Sequence, residues 1–451
     1  MLHGLVPYKD LYEQKGPLLY MLHAVAAMFS ETSFIGVYFF EIIAATVFLF
    51  FSFKIMKLYW QKIDICAVPI FAALVYSFDC FCHGDSAEEL CLPLFAFAFY
   101  LVVRMLKIEQ LPSLWELLII GITSGFVLWI KFSMLGFYIG WFCIIAVKLF
   151  KQKNIKYLLQ AILCIAAGVL ITSVPILIYF AVNRSLSDLW TAYFYNNLFH
   201  YSRGASSSKI ISLFYNLFIG AFKLVYRNFL LALLVFIGML RLVIKKNFGE
   251  FFSYLAILSI TFLSVYAGGQ SHWYYALIFC TFLPFGFVPV YKVIRSLFSL
   301  CTQNLHKSRF VRVTASVLMC LVSVCYAFAA SSNTYLLKYS REELPQYQFA
   351  EIIKQDKNAT LLNYNFLDCG LYTTTGIVPN CKYFAKLNID LKEMTDTQNE
   401  FINRGKVDYV VTHDELLNAD NYECVATSVF YYEGTEITYR LYRLTEKDYL
   451  G

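Results

Sequence analysis

Long apolar runs separated by short polar junctions occupy the first three quarters of the chain, near 34–54, 65–80, 90–106, 114–130, 133–150, 157–182, 227–244, 251–267, 273–293 and 311–331. A helix of ~20 apolar residues crosses a bilayer, so the pattern predicts about ten transmembrane helices, with boundaries that can move by a few residues. Basic clusters fall at alternate junctions: Lys54, Lys57 and Lys62; Arg104 and Lys107; Lys148, Lys151, Lys153 and Lys156; Arg241, Lys245 and Lys246; and Lys292 to Arg312. The positive-inside rule makes those junctions cytoplasmic and turns the others outward. Residues 209–226 read as an amphipathic helix lying along the outer interface.

After residue 340 the period changes. Alternating or β-branched runs at 360–364, 407–412, 423–432 and 436–444, a turn at 433–435 and a helical stretch near 391–404 predict a small α/β domain. The expected organisation is therefore an outward loop over 1–33, a transmembrane domain over 34–331 and a soluble extracytoplasmic domain over 340–451. The chain as a whole reads as an all-α polytopic membrane protein with that small domain at its C-terminus.

Composition agrees with a lipid environment: 59% of the residues are hydrophobic, 15% are charged, and mean hydropathy is +0.58. Charge separates the two parts. Residues 340–451 hold 11 Lys+Arg against 18 Asp+Glu, whereas the formal net charge of the whole chain is +6. The basic residues sit between apolar runs, where topology explains them, and no nucleic-acid partner is expected. The 13 cysteines show no zinc-type pairing, and many lie inside apolar runs as small hydrophobes. Cys369 and Cys381 in the tail are read either as a disulfide or as free thiols.

Candidate chemistry is confined to the outward loops. The first reads PYKDLYEQKGPLLY at 7–20. A lysine beside Gly-Pro suits a phosphate, because the small residue allows close approach, proline fixes the turn and the ammonium supplies a point charge. Snorkelling lysines in an ordinary interfacial loop are the other reading. The second, DCFCHGDSAEE at 79–89, packs acids that could bind a divalent cation, act as a general base, or simply cap a helix through Asp85 or Ser86. Lys131 between two apolar runs is either a functional ion or a hairpin marker. Glu41 is read as an interhelical hydrogen-bonding group. Residues 268–275, GGQSHWYY, combine glycines, Gln270, His272 and belt aromatics.

Four stretches, PYKDLYEQKGPLLY at 7–20, HGDSAEELCLP at 83–93, FYNNLFHYS at 194–202 and GGQSHWYY at 268–275, make residues 1 to about 330 resemble the polytopic C-type glycosyltransferases of the protein mannosyltransferase and aminoarabinose transferase superfamily. The resemblance implies that fold, and transfer of a sugar from a polyprenyl-phosphate donor to a cell-envelope acceptor on the outer face. It implies Lys15 as phosphate ligand, aided by Lys131 and His272, with Tyr8, Gln270 and Tyr274 also on the substrate side. Asp10 would be the base, with Asp85, Glu88 and Glu89 orienting the acceptor or a metal; a divalent cation as cofactor stays open. Such enzymes place an Asp after a first helix upstream of the Lys-Gly-Pro element, so a further helix before Met1 is expected. A lipid-linked-sugar flippase and an inactive transferase remnant are the alternatives.

Overall fold

The computed structural model describes the chain apart from residues 202–208, 269–270, 302–308, 433 and 446–451. Up to residue 331 it is helical: α1 (Pro17–Ala27), α2 (Ile35–Tyr59), α3 (Ala67–Val75), α4 (Ala87–Lys107), α5 (Leu114–Lys131), α6 (Gly136–Lys151), α7 (Ile155–Val182), α8 (Leu186–Leu189), α9 (Asn196–Phe199), α10 (Lys209–Arg227), α11 (Phe229–Ile244), α12 (Phe248–Tyr266), α13 (Leu283–Cys301) and α14 (Arg309–Ala330). Among the described residues seven segments are long and apolar enough to cross a membrane: Ile35–Tyr59, Ala87–Lys107, Leu114–Lys151, Ile155–Val182, Ile210–Arg227, Phe248–Tyr266 and Trp273–Leu297. The chain is a multi-pass membrane protein.

Every apolar run of the sequence becomes helix, but three helices are short. The run at 65–80 yields only the 9 residues of α3, α11 has 16, and the apolar part of α14 is Ser316–Ala330. The apolar helix α1, by contrast, was not among the runs read from the sequence.

Leu114–Lys151 spans 38 residues. At ~1.5 Å per residue that is about 57 Å of helix, nearly twice the ~30 Å of hydrocarbon. Side-chain bonds show that it is two helices running in opposite directions. Arg104 near the end of α4 pairs with Glu116 at the start of α5, and Glu88 at the start of α4 pairs with Lys131 at the end of α5, so α4 and α5 are antiparallel. Trp141 Nε1 donates to Ala98 O at 2.8 Å and Lys148 Nζ to Met105 O at 2.7 Å, so α4 and α6 are parallel. The reversal is the 3₁₀ turn Phe132–Leu135. Lys131 therefore marks a hairpin and also makes a buried ion pair.

Close approach of α5 and α7 needs glycine at the contact. A Cβ on Gly121 would lie 2.2 Å from Ile165 O, and one on Gly168 2.3 Å from Leu118 O, the small-residue packing expected where lipid supplies no hydrophobic drive between helices. At the Arg104 end of the bundle a polar network closes the helix termini. Arg104 grips Glu116 bidentately at 2.8 and 2.7 Å, Lys107 pairs with Glu250 at 3.1 Å, Tyr59 OH bonds Tyr254 OH at 2.8 Å, and Arg295 pairs with Asp64.

The tail forms the predicted α/β domain. It comprises α15 (Pro345–Ile353), β1 (Leu361–Asn363), α16 (Leu371–Thr375), α17 (Lys392–Asn403), β2 (Tyr409–His413), β3 (Tyr422–Tyr432) and β4 (Thr435–Leu444). The sheet order is β1-β2-β4-β3, with β1 and β2 parallel across a helical crossover and the other pairs antiparallel. A core of Phe349, Ile353, Leu361, Leu371, Tyr372, Tyr409, Val411 and Leu441 is buried beneath it. Cys369 and Cys381 carry free thiols.

By internal contacts the chain forms two compact units. One gathers Met1–Tyr38, Ile176–Arg203 and Leu336–Gly451; the other gathers Phe39–Pro175 and Gly204–Tyr335. The first loop thus shares a body with the C-terminal domain and with the segment around α8 and α9.

Candidate functional site

The first unit is built around the loop that carries Lys15. Tyr8 is 1% exposed, takes a left-handed φ of +69°, and stacks on Phe180 with ring centroids 5.7 Å apart. From there its hydroxyl donates to Lys15 O at 2.6 Å, while Lys15 N donates to Tyr20 OH at 2.9 Å. Both backbone polar groups of Lys15 are therefore held by tyrosines, Tyr8 buried and Tyr20 half-buried, and Pro17 at the first position of α1 fixes the chain just beyond. Tyr20 OH in turn donates to Glu13 Oε2 at 3.1 Å.

Burial pushes the Glu13 carboxyl up to about 7, against the Tyr20 hydrogen bond and the Lys15 charge, which favour its ionised form. A carboxyl that titrates near neutrality next to a lysine is suited to proton transfer. Glu13 was not among the sequence candidates, although it stands two residues before Lys15 in the element that carries the resemblance. Asp10, the sequence candidate for the base, is engaged differently. Its Oδ2 accepts from Val6 N at 2.7 Å and its own N–H donates to Val6 O at 2.9 Å, so it ties the turn that presents Tyr8.

Two more parts of this unit close on the loop. A π-helical turn over Trp190–Tyr195 leads into α9 and sets Asn196 and Asn197 facing it. Asn196 Nδ2 donates to Tyr12 OH at 2.9 Å, and Asn197 Nδ2 to Gln14 O at 2.8 Å. From the tail, Lys382 O accepts from Tyr12 N at 2.8 Å, and the Tyr383 ring lies 5.2 Å from that of Tyr12. Asp368 of the tail adds a negative charge felt by Glu13, and burial raises its own carboxyl above the usual range.

The second unit carries a separate polar cluster at the Lys131 end of its helices. Lys131 Nζ lies 2.5 Å from Glu88 Oε1 and 3.6 Å from the centre of the Tyr275 ring. Glu88 is 1% exposed, and its Oε2 has no hydrogen-bond partner among the described residues. Ser86, not Asp85, caps α4, its Oγ accepting from Glu89 N at 3.1 Å. Glu89 is buried beside the Glu41 carboxyl. Glu41 Oε1 also accepts from Asp85 N at 2.8 Å, so it bonds a loop as well as a helix. Gly84 at φ +83° lets that loop pass, since a Cβ there would lie 2.5 Å from Glu41 Oε1.

His272 stacks on Tyr274 at 5.4 Å and meets Tyr275 edge-on. The structure thus gathers Lys131, Glu88, Tyr274 and His272 around Tyr275, and Asp85 and Glu89 around Glu41; Gln270 lies outside the described residues. Among the described residues no three His, Cys, Asp or Glu side chains converge as a metal's ligands would.

No protein-family model matches the chain, and no curated protein does. Solved structures do. ArnT from Cupriavidus metallidurans in the apo state matches with a TM-score of 0.55 at 11% sequence identity, over 95% of this chain and 88% of that one. The chain shares the ArnT fold. A second structure, ArnT from Cupriavidus metallidurans bound to undecaprenyl phosphate, matches with the same TM-score, identity and coverage. At 11% identity the ArnT likeness is one of fold.

Proposed function

We propose that the chain is a membrane glycosyltransferase that moves a sugar from a polyprenyl-phosphate donor to an acceptor of the cell envelope. The observation that carries this reading is the bracing of Lys15. Buried Tyr8 and half-buried Tyr20 fix its backbone on both sides, an arrangement that gains little if the lysine only snorkels but much if its ammonium must meet a phosphate at one place. The shared fold with a protein solved with undecaprenyl phosphate supports it.

In this reading the acceptor hydroxyl oxygen attacks the anomeric carbon, and the bond from that carbon to the phosphate oxygen breaks. The lipid phosphate leaves with the bonding pair and is met by Lys15. The acceptor proton passes to a carboxylate of the first loop, and Glu13, with Lys15 and Tyr20 beside it, is better placed for this than Asp10. Tyr8 serves by holding Lys15. The Glu88–Lys131 pair, with Tyr274, His272 and Gln270, is assigned to the substrate side, and Asp85 and Glu89 to orienting the acceptor. In this reading the loops and the C-terminal domain face outward, which the alternation of basic clusters in the sequence supports.

Purified full-length protein given a radiolabelled polyprenyl-phosphate sugar should release lipid phosphate and label an envelope acceptor. Lys15→Met should reduce the rate by about 10²–10³-fold, the usual effect of removing a group that stabilises developing charge. Movement of the lipid-linked sugar across vesicles without covalent transfer would replace this reading with a flippase.

A further inference from the structure

The second unit also contains a cavity that touches the Lys131 cluster only through His272 and is otherwise lined by residues of neither polar cluster. It has a volume of about 280 Å³ and lies between α10 and the segment 271–273, lined by Tyr215, Asn216, Ile219, Lys223, Ser271, His272 and Trp273. Residues 215, 216, 219 and 223 fall on one face of α10, at helical spacing. The lining offers an ammonium, an imidazole, an amide and two hydroxyls and no carboxylate. One turn beyond Lys223, the Arg227 guanidinium lies 3.8 Å over the Trp273 ring, a second cation at the same wall. Among the described residues the Lys223 ammonium makes one long hydrogen bond, 3.4 Å to Ser271 O, which leaves most of its donor capacity for a ligand.

The rest of α10 indicates the setting. Ile210, Ile211, Phe214, Phe218, Phe222 and Tyr226 are all more than half exposed. An exposed apolar stripe of this kind meets lipid, and the basic residues Lys223 and Arg227 near the helix's end belong at the level of the bilayer interface. Cationic and hydrogen-bonding groups in a cavity beside that stripe meet lipid at the level of its headgroups.

We propose that this cavity binds a phosphate-bearing headgroup of an anionic lipid, with Lys223 as principal ligand, Arg227 as supporting cation, and Asn216 and Ser271 as hydrogen-bonding partners. Its size is just below the ~300–1,000 Å³ of pockets for drug-sized ligands, which fits one headgroup rather than a whole lipid. All of its residues belong to the second unit, so the inference stands whether or not Lys15 binds a carrier phosphate.

The test is calorimetric titration of the full-length protein in a non-ionic detergent with two probes, dihexanoyl phosphatidylglycerol and inorganic phosphate. Saturable binding is expected, at least tenfold weaker in Lys223→Gln and retained in Lys223→Arg, with thermal melting showing that both variants fold. Binding of the lipid alone means that the apolar stripe contributes to the site; binding of inorganic phosphate as well means that the charged headgroup suffices. Either outcome supports the site if Lys223→Gln weakens it at least tenfold. No saturable binding of either probe, or equal binding by Lys223→Gln and wild type, overturns the proposal.

Discussion

At the scale of single residues, Glu13 has the sharpest consequence. Its carboxyl is raised from 4.5 to about 7, so the folded state favours the neutral form. The stability associated with that preference is full below the unfolded value and is lost as pH rises through 7. Glu13→Gln should therefore gain melting temperature relative to wild type as pH goes from 5 to 8, read by scanning fluorimetry. Activity runs the other way. If Glu13 takes the acceptor proton it must be ionised, so kcat/KM should fall as pH drops below about 7, and Glu13→Gln should lose about 10²–10⁴-fold and flatten the profile. A pH profile unchanged in Glu13→Gln would move the base elsewhere, Asp10 first. Gly84 gives a structural counterpart. Alanine there faces a left-handed backbone, costing about 1–2 kcal/mol, and displaces the Glu41 carboxyl; chemical denaturation of Gly84→Ala reads the loss.

At the scale of elements, the α5–α6 hairpin was legible and its chemistry was only half so. Two apolar runs with one lysine between them predict a reversal, and the structure turns at Phe132–Leu135. Pairing of Lys131 with Glu88 could not be read, because it depends on α4 and α5 running antiparallel, 43 residues apart in sequence. The pair is buried, so removing one partner leaves an uncompensated charge at a cost of about 3–5 kcal/mol. Lys131→Met should therefore destabilise strongly, and adding Glu88→Leu should recover most of the loss while leaving activity low if the pair serves the substrate. A double variant no more stable than Lys131→Met would show that Glu88 has a second, unpaired role. Short helices were the least legible elements. α3 takes up only Ala67–Val75 of the apolar run at 65–80, and hydropathy registers the run but not where the helix stops.

At the scale of the whole chain, strands and helix of the tail were readable from their periods, since a half-buried strand alternates and an amphipathic helix repeats. What periodicity could not give is where the tail docks. Its contact with the first loop includes a backbone hydrogen bond, Tyr12 N to Lys382 O, and the Tyr12–Tyr383 ring pair, both far apart in sequence and neither marked by any motif. That docking ties the domain to Lys15 through a short route. Tyr12 is gripped by the tail and by Asn196, and Gln14, next to Lys15, is gripped by Asn197. The tail therefore acts as part of the scaffold that holds the loop. An aromatic pair contributes ~0.5–1.5 kcal/mol beyond its area burial, so Tyr383→Ala should raise local opening of the loop by about two- to twelvefold. Hydrogen exchange of the Tyr12 and Lys15 amides in the full-length protein reads this directly. If the loop presents Lys15 to a donor phosphate, the same variant should raise KM for the lipid-linked sugar more than it lowers kcat. Amide protection unchanged at Tyr12 and Lys15 would mean that α9 and Phe180 hold the loop by themselves, leaving the tail free for another task.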